Sequence, residues 1–244
     1  MTAPVFLVNP GDLLSSTTAF HLAGDEGRHA ATVKRMRAGE TINLCDGKGT
    51  RAVATVTEVG KHSVDVAIDS VTFEEAPEPR FVVVQALAKG ERAELAVEML
   101  TEVGADVIVP WKAEHSIAKW DSVDKGLEKW RRTARESSKQ ARRAWIPEVT
   151  EMHTTAQVCE LMKSAQSIFV LHESAVQALA ASAIRDQGTI VIVVGPEGGI
   201  SDAELTQFTE AGARVVHMGA SVMRTSTAGA IAVGGLLMRS QRWS

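Results

Sequence analysis

The sequence has few cysteines and no long apolar run. Its two cysteines, Cys45 and Cys159, lie far apart and form no C-x-x-C pair, so neither a disulfide framework nor a zinc site is indicated. No apolar run approaches the roughly 20 residues that a membrane-spanning helix needs, and the start from Met1 to Pro4 lacks the features of a signal peptide. We therefore expect a cytoplasmic protein that is neither secreted nor embedded in a membrane.

Motifs of several enzyme classes are also missing. The seven histidines show no H-E-x-x-H or other metal-ligand spacing, so we expect no metal. The absence of G-x-S-x-G argues against a serine hydrolase. Neither G-x-G-x-x-G nor G-x-x-x-x-G-K-[ST] occurs, which argues against an ordinary dinucleotide site and against a P-loop.

The overall charge gives an ambiguous indication of the partner. The chain of 244 residues carries 26 basic and 30 acidic side chains, a formal net charge of −4. Taken alone, that charge argues against nucleic acid, because phosphate binding relies on lysine and arginine. The segment from Lys125 to Arg143, however, has eight basic residues against two acidic ones, and Arg28 to Arg37 is also basic. Such a run fits either a solvated helix face or a footprint for phosphates.

The N-terminal third predicts a small β-barrel. Short strands are expected at Val5 to Val8, Thr41 to Cys45, Arg51 to Val59 and Ser63 to Phe73, with one helix from an N-cap at Asp25 to Gly39. Residues 74–79 contain two prolines and three glutamates, a composition typical of a linker. We place the domain boundary there.

The remainder alternates strands and helices, which predicts a parallel sheet covered on both faces. The strands are expected at 81–87, 107–109, 168–171, 189–194 and 214–218, and a long helix at 121–144. Ligands of such sheets bind beyond the carboxyl ends of the strands. That rule selects the residues that follow Leu171, Val194 and Met218.

Two loops at these strand ends stand out. Gly195 to Gly199 precedes the capping box Ser201-x-x-Glu204, so a helix is expected from about Asp202. Glycines in this turn permit positive φ and close approach of a ligand, although an ordinary strand–helix loop also contains glycines. The second loop, residues 218–229, carries Arg224 and leads into a small-residue helix that we expect Thr225 or Ser226 to cap.

With these motifs in hand, the chain resembles the RsmE family of small-subunit ribosomal RNA methyltransferases, members of the knotted SPOUT superfamily. The resemblance covers essentially the whole chain, and its specificity comes from seven short motifs in the family's order. They lie at 28–40, 46–49, 89–105, 114–116, 136–147, 195–199 and 218–228.

The resemblance implies an α/β protein of two domains. Residues 1–75 are expected to form a PUA-like β-barrel that recognises RNA, and residues 80–244 a SPOUT α/β domain with a trefoil knot. The implied reaction is methylation of N3 of uridine 1498 in 16S ribosomal RNA, with S-adenosylmethionine as the methyl donor. The implied partners are 16S ribosomal RNA in the assembled small subunit and a second copy of the chain in a homodimer.

The resemblance also implies the residues of the site. Arg224 is the catalytic candidate, since a guanidinium near the base oxygens favours a deprotonated uridine. The expected cofactor residues are Leu171, His172, Glu173, Val194, Gly195, Pro196, Glu197, Gly198, Met218, Gly219, Val222, Met223 and Thr227. The expected RNA contacts are Arg28, Lys34, Arg35, Lys89, Arg92, Arg132, Gln140 and Arg142. Many relatives have a glutamate where this chain has Ser226, so we assign Ser226 no role as a base.

Three other functions fit the sequence less well. A SPOUT methyltransferase acting on another RNA is the nearest, and the Lys89 to Arg92 motif favours RsmE over it. A non-catalytic RNA-binding assembly factor would not need the intact turn at Gly195 to Gly199. A nucleotide hydrolase would need a phosphate-binding lysine motif and a metal carboxylate pair, which the sequence does not offer.

Overall fold

The computed structural model describes residues 3–118 and 120–243. These residues form two compact units, one comprising the chain up to Ala76 with Ser138–Ile146, the other Pro77–Ser137 with the chain from Pro147 onward. The expected domain ranges, 1–75 and 80–244, also contain residues 1, 2, 119 and 244, which lie outside the described part.

The first unit is built on a curled sheet. Its strands are β1 (Val5–Leu7), β2 (Ala19–Leu22), β3 (Thr41–Cys45), β4 (Thr50–Val59) and β5 (Val64–Phe73). The order is β1-β3-β4-β5-β2, with β1 parallel to β3 and the other neighbours antiparallel. Two register shifts between β4 and β5 increase the twist, and Phe6, Ile42, Leu44 and Val64 are buried in its core. The expected PUA-like barrel is confirmed.

The helical part of this unit is shorter than the sequence suggested. An α-helix, α1 (Gly24–Arg28), continues as a π-helical turn over His29–Val33. The expected extension to residue 39 is wrong, because Arg35 adopts a left-handed φ of +54° and turns the chain away. The N-cap is Ala23, and Asp25 lies inside the first turn, where its charge interacts favourably with the helix dipole.

The segment Ser138–Ile146 belongs to the barrel unit, although it is distant in sequence. The Trp145 indole N–H donates to the Glu74 carbonyl at 2.8 Å, and the Gly49 N–H donates to the Ala144 carbonyl at 3.1 Å. Gly49 has a φ of +101°, and a Cβ there would lie 2.9 Å from Trp145 Cζ2. The glycine therefore allows the tryptophan to pack directly on the turn between β3 and β4.

The second unit contains a parallel sheet. Its strands within the described residues are β6 (Arg80–Ala86), β7 (Val107–Trp111), β8 (Glu148–Val149), β9 (Ser167–Leu171), β10 (Gln177–Ala178), β11 (Thr189–Val194) and β12 (Arg214–His217). The order is β10-β12-β9-β11-β6-β7-β8, and every pairing is parallel. The five expected strands are present, whereas the two-residue strands β8 and β10 were not predicted.

Helices cover both faces of this sheet. They are α2 (Arg92–Val103), α3 (Val123–Ala141), α4 (Thr155–Met162), α5 (Asp202–Glu210) and α6 (Thr225–Leu237), with short 3-10 turns at Leu179–Ala181 and Gln241–Trp243. Alternate residues of β6, β7, β9 and β11 enter two separate cores, one shared with α2, α3 and α6 and the other with α4 and α5. The α/β architecture is confirmed. No helix within residues 3–118 and 120–243 is long and apolar enough to cross a bilayer.

The long basic helix is slightly shorter than expected. We predicted a helix over 121–144, and α3 runs from Val123 to Ala141. Arg142 then takes a φ of +54°, which ends the helix before Pro147 is reached. The residues that follow α3, up to Ile146, belong to the barrel unit.

Candidate functional site

A pocket of about 490 Å³ lies at the carboxyl ends of β9, β11 and β12. These strands are neighbours, because β9 pairs with β11 on one side and with β12 on the other. Leu171, Val194 and His217, which end the three strands, therefore all reach the same edge of the sheet. The volume falls within the roughly 300–1,000 Å³ typical of small-molecule sites.

The pocket gathers nearly all residues that the sequence suggested for a cofactor. Its lining includes Leu171, His172, Glu173, Val194, Gly195, Pro196, Glu197, Gly198, Met218, Gly219, Val222 and Met223, together with Arg224. Thr227 is not part of the lining. Its hydroxyl donates to the Arg224 carbonyl at 3.1 Å, within the first turn of α6.

Several lining residues were not predicted. They are Gly199, Ile200, Val216, His217, Ala220, Ser221, Thr225 and Ala228. Ala220 and Ser221 lie within the loop 218–229 that the sequence had already indicated. A prediction that covered the whole loop would have included them. His217 could have been found as a polar residue at a strand end, whereas Thr225 was interpreted only as a helix cap.

The glycine turn is compact because of contacts within the chain. A Cβ on Gly198 would lie 2.9 Å from the carbonyl oxygen of His115, and one on Gly195 would lie 2.7 Å from Ile200 Cγ1. Neither glycine has a positive φ, whereas Gly199 has a φ of +79°. The idea that Gly195 and Gly198 serve only to admit a ligand is therefore incomplete, since protein atoms already require their small size.

Two histidines at the pocket make the same local contact. The Nδ1 atom of His217 accepts the Gly219 N–H at 3.1 Å, and the Nδ1 atom of His172 accepts the Ser174 N–H at 3.3 Å. A ring nitrogen that accepts an N–H carries no proton, so the ring N–H of each histidine lies on Nε2. Each ring then offers one N–H donor.

The start of α6 differs from the expected cap. Arg224 is the N-cap residue, and no side chain caps the helix. Thr225 and Ser226, the expected caps, lie in the first turn and are buried. The Thr225 hydroxyl donates to the Gly195 carbonyl at 3.0 Å, so it connects the two loops that form the pocket.

Charged side chains of both signs line the pocket. Glu173 and Glu197 are exposed carboxylates, and Glu197 accepts the backbone N–H of Lys89 at 3.3 Å. The exposed Arg224 side chain makes no hydrogen bond or ion pair with the part of the chain that the structure describes. That part also contains no cluster of histidine, cysteine and carboxylate groups suited to a metal ion. Arg224 is thus available to a ligand.

Comparison with known proteins identifies the family. The RNA methyltransferase domain profile matches residues 74–237, and the RNA methyltransferase PUA domain profile matches residues 22–69. A Mycobacterium bovis protein named Ribosomal RNA small subunit methyltransferase E is 41% identical over 250 residues, which cover 100% of this chain and 94% of that protein. The chain belongs to the ribosomal RNA small subunit methyltransferase E family.

Other members of the methyltransferase E family match this chain over nearly its whole length. The protein of that name from Bacillus subtilis is 27% identical over 238 residues, 93% of each chain. A crystal structure of the Neisseria gonorrhoeae protein of that name, bound to S-adenosyl methionine, superposes with a TM-score of 0.87 at 26% identity and 98% coverage of both chains. The family's fold therefore extends over both units of this chain.

One expected feature of methyltransferase E proteins is absent here. Ser226 stands where the resemblance led us to expect a glutamate, and its side chain is 3% exposed. A buried hydroxyl cannot replace a carboxylate as a proton acceptor at neutral pH. The assignment of no base role to Ser226 stays a prediction.

The expected RNA contacts are all exposed and fall in both units. Arg28, Lys34, Arg35, Gln140 and Arg142 belong to the barrel unit, and Lys89, Arg92 and Arg132 to the sheet unit. Other basic residues of α3 are committed to carboxylates, with Lys129 on Glu94 at 2.9 Å, Arg131 on Glu151 at 2.6 Å and Lys139 on Glu26 at 3.0 Å. The charge available to RNA is therefore smaller than the sequence count.

Proposed function

We propose that this protein transfers a methyl group from S-adenosylmethionine to N3 of uridine 1498 in 16S ribosomal RNA of the small subunit. The main support is the full-length similarity to proteins named Ribosomal RNA small subunit methyltransferase E. The pocket at the ends of β9, β11 and β12 supports it independently, because its position follows from the sheet topology.

The residues of the pocket fit S-adenosylmethionine. Leu171, Ile200 and Met218 provide apolar surface for a planar base, and the carboxylates of Glu173 and Glu197 favour a cationic ligand. When bound, the cofactor supplies an electrophilic methyl group on a positively charged sulfur. The protein's own contribution is to hold this ligand at the pocket and to keep the loops around it fixed.

Arg224 is the residue that we assign to the chemical step. Methylation of uridine N3 would release the cofactor as a neutral thioether, and the N3 proton would pass from the base to solvent water. Loss of that proton places negative charge on the base oxygens, which a guanidinium stabilises. Arg224 lines the pocket with its side chain exposed, and its backbone is held by the first turn of α6.

The two units divide recognition and chemistry in this proposal. Residues 1–75 serve as the RNA-recognition barrel, and residues 80–244 as the methyltransferase domain, for which we propose the trefoil knot of the SPOUT superfamily. Ser138–Ile146 adds Gln140 and Arg142 to the barrel unit. The exposed Arg28, Lys34, Arg35, Lys89, Arg92 and Arg132 complete the proposed RNA contacts.

The proposal includes a homodimer that acts in the cytoplasm on the assembled small subunit. Apolar side chains on α2, on α6 and directly after α6 support the dimer, since Leu95 is 43% exposed, Ile231 47% and Met238 77%. Because α2 packs against α6, these side chains lie on neighbouring elements, and apolar surface exposed there is available to a second copy of the chain.

The decisive experiment maps N3-methyluridine in ribosomal RNA from cells with and without the gene. We expect the modification at position 1498 to disappear on deletion and to return with the wild-type gene but not with Arg224→Ala. Alongside the mapping, isothermal titration calorimetry measures the binding of S-adenosylmethionine to the purified protein. Persistence of the modification in the deletion strain would refute the proposed function.

A further inference from the structure

A buried glutamine interrupts the apolar strand β6. Gln85 is 1% exposed, whereas its neighbours Val83, Val84 and Ala86 are apolar and fully buried. In the register of the sheet, Gln85 lies between Val194 of β11 and a residue of β7. It is therefore placed one residue behind the start of the glycine turn that lines the pocket.

The hydrogen bonds of Gln85 join its own strand to the start of α6. Its Nε2 donates to the Thr225 carbonyl at 3.2 Å and to the Ala86 carbonyl at 3.1 Å. Its Oε1 is buried without a partner in the described part of the chain. An unsatisfied buried acceptor costs stability, so an apolar side chain of the same shape would suit the core better. The glutamine therefore needs an explanation other than stability.

Thr225 extends this contact to the glycine turn that lines the pocket. Its carbonyl accepts from Gln85, and its hydroxyl donates to the carbonyl of Gly195 at 3.0 Å. Gly195 directly follows Val194, which pairs with Gln85. Two hydrogen bonds thus link β6, the start of α6 and the glycine turn beneath the pocket.

The same link fixes the backbone of Arg224. The Arg224 carbonyl accepts the N–H groups of Thr227 at 2.9 Å and Ala228 at 3.0 Å, so this residue is part of the first turn of α6. Whatever holds Thr225 in place also holds the next residue toward the N-terminus. Displacing a reacting group by about 1 Å can lower a rate by about 100-fold.

We propose that Gln85 and Thr225 are positioning residues that hold Arg224 and the Gly195 turn in a fixed relation to each other. This inference rests on the proposed function, because it assigns Arg224 to the methyl transfer. Thr225 lines the pocket and Gln85 lies behind it, and we assign neither residue a contact with the reacting atoms. Both act through the backbone of the two loops that they connect.

The first test replaces Gln85 with methionine, which has a similar shape and no polar atoms to satisfy. We expect Gln85→Met to unfold at the wild-type temperature or above, while kcat falls about 10-fold and KM for RNA stays within twofold. A purely structural role predicts the reverse, a lower unfolding temperature at unchanged kcat. That result, or an unchanged kcat at any stability, would overturn the proposal.

The second test compares two substitutions of Thr225. Thr225→Val removes the hydroxyl and keeps the shape, and we expect kcat to fall about 10-fold. Thr225→Ser keeps the hydroxyl, and we expect it to restore kcat to within twofold of wild type. Thr209→Val is the matched control, since that exposed hydroxyl bonds only within α5. Equal kcat for the valine and serine variants at position 225 would overturn the proposal.

These tests are read against the wild-type protein assayed on purified small subunits with S-adenosylmethionine. If the wild-type protein neither binds the cofactor nor methylates the RNA, the proposed function has failed. If the wild-type protein is active and the variants match it, only the positioning role has failed.

Discussion

The Glu204 carboxylate accepts the backbone N–H of Glu114 at 2.9 Å, and so joins the start of α5 to the loop after β7. The same carboxylate accepts the Thr155 hydroxyl at 3.0 Å and the Ser201 N–H at 3.2 Å. Glu204 is 4% exposed, and these donors replace the water that a buried carboxylate loses. The capping box therefore also connects three segments of the second unit.

Glu204→Gln should destabilise the protein. The amide turns one acceptor oxygen into a donor that faces N–H and hydroxyl donors, so we expect a loss of about 1–3 kcal/mol in unfolding free energy. Urea unfolding followed by circular dichroism measures it. The exposed Glu210→Gln, at the other end of α5, should unfold like wild type. Equal midpoints for both variants would show that the buried contacts contribute nothing.

Arg224→Ala should slow methyl transfer without unfolding the protein. Removing one group that stabilises developing charge typically costs about 100- to 1,000-fold in rate. We expect that loss in single-turnover methylation with cofactor and small subunits saturating, and a dissociation constant for S-adenosylmethionine within threefold of wild type. Arg185→Ala, which removes an exposed arginine outside the pocket, is the control. Near-normal single-turnover rates for Arg224→Ala would exclude the assigned role.

Alanine at Gly198 should be more harmful than alanine at Gly195. The added Cβ at Gly198 meets the backbone oxygen of His115, which cannot move alone, whereas at Gly195 it meets the side chain of Ile200. We expect Gly198→Ala to cost about 1–3 kcal/mol and to weaken cofactor binding, and Gly195→Ala to cost less. Thermal unfolding and calorimetric titration rank the two variants. The opposite ranking would mean that the His115 contact relaxes freely.

Two neighbouring arginines of α3 should differ in their effect on RNA binding. Arg132 is exposed, whereas Arg131 bonds the Glu151 carboxylate at 2.6 Å and the Val149 carbonyl at 3.2 Å. Each lost phosphate contact lowers the salt slope of binding by about one unit. We expect that change for Arg132→Gln and little change for Arg131→Gln, measured by filter binding across salt concentrations. Equal slopes for the two variants would remove Arg132 from the proposed contacts.

The sheet and the pocket edge could be predicted because they depend on local patterns. Continuous apolar runs such as Thr189 to Val194 mark buried parallel strands, and the Ser201 to Glu204 spacing marked the start of α5 correctly. The edge strand β2 was missed because it is four residues long, so the alternation of its core-facing Phe20 and Leu22 with exposed residues is too short to recognise. Periodicity can detect an element only when the pattern extends over enough residues.

The remaining features depend on contacts between residues far apart in sequence. Arg35 and Arg142 end their helices in left-handed conformations that their residue type does not suggest. Gln85 lies within an apolar run, and its role emerges only when Thr225 is placed beside it. Likewise, no local signal indicates that Trp145 packs on Gly49.

The return of Ser138–Ile146 to the barrel unit affects how the chain can fold during synthesis. Domains generally fold as they leave the ribosome, beginning at the N-terminus. Here the segment Ser138–Ile146 of the first unit is synthesised only after β6, α2, β7 and most of α3. The strands of the first unit therefore leave the ribosome before this part of their own unit exists. A nascent chain that ends at Phe73 would contain β1 to β5 of the barrel unit. It would still lack the segment that contains Trp145.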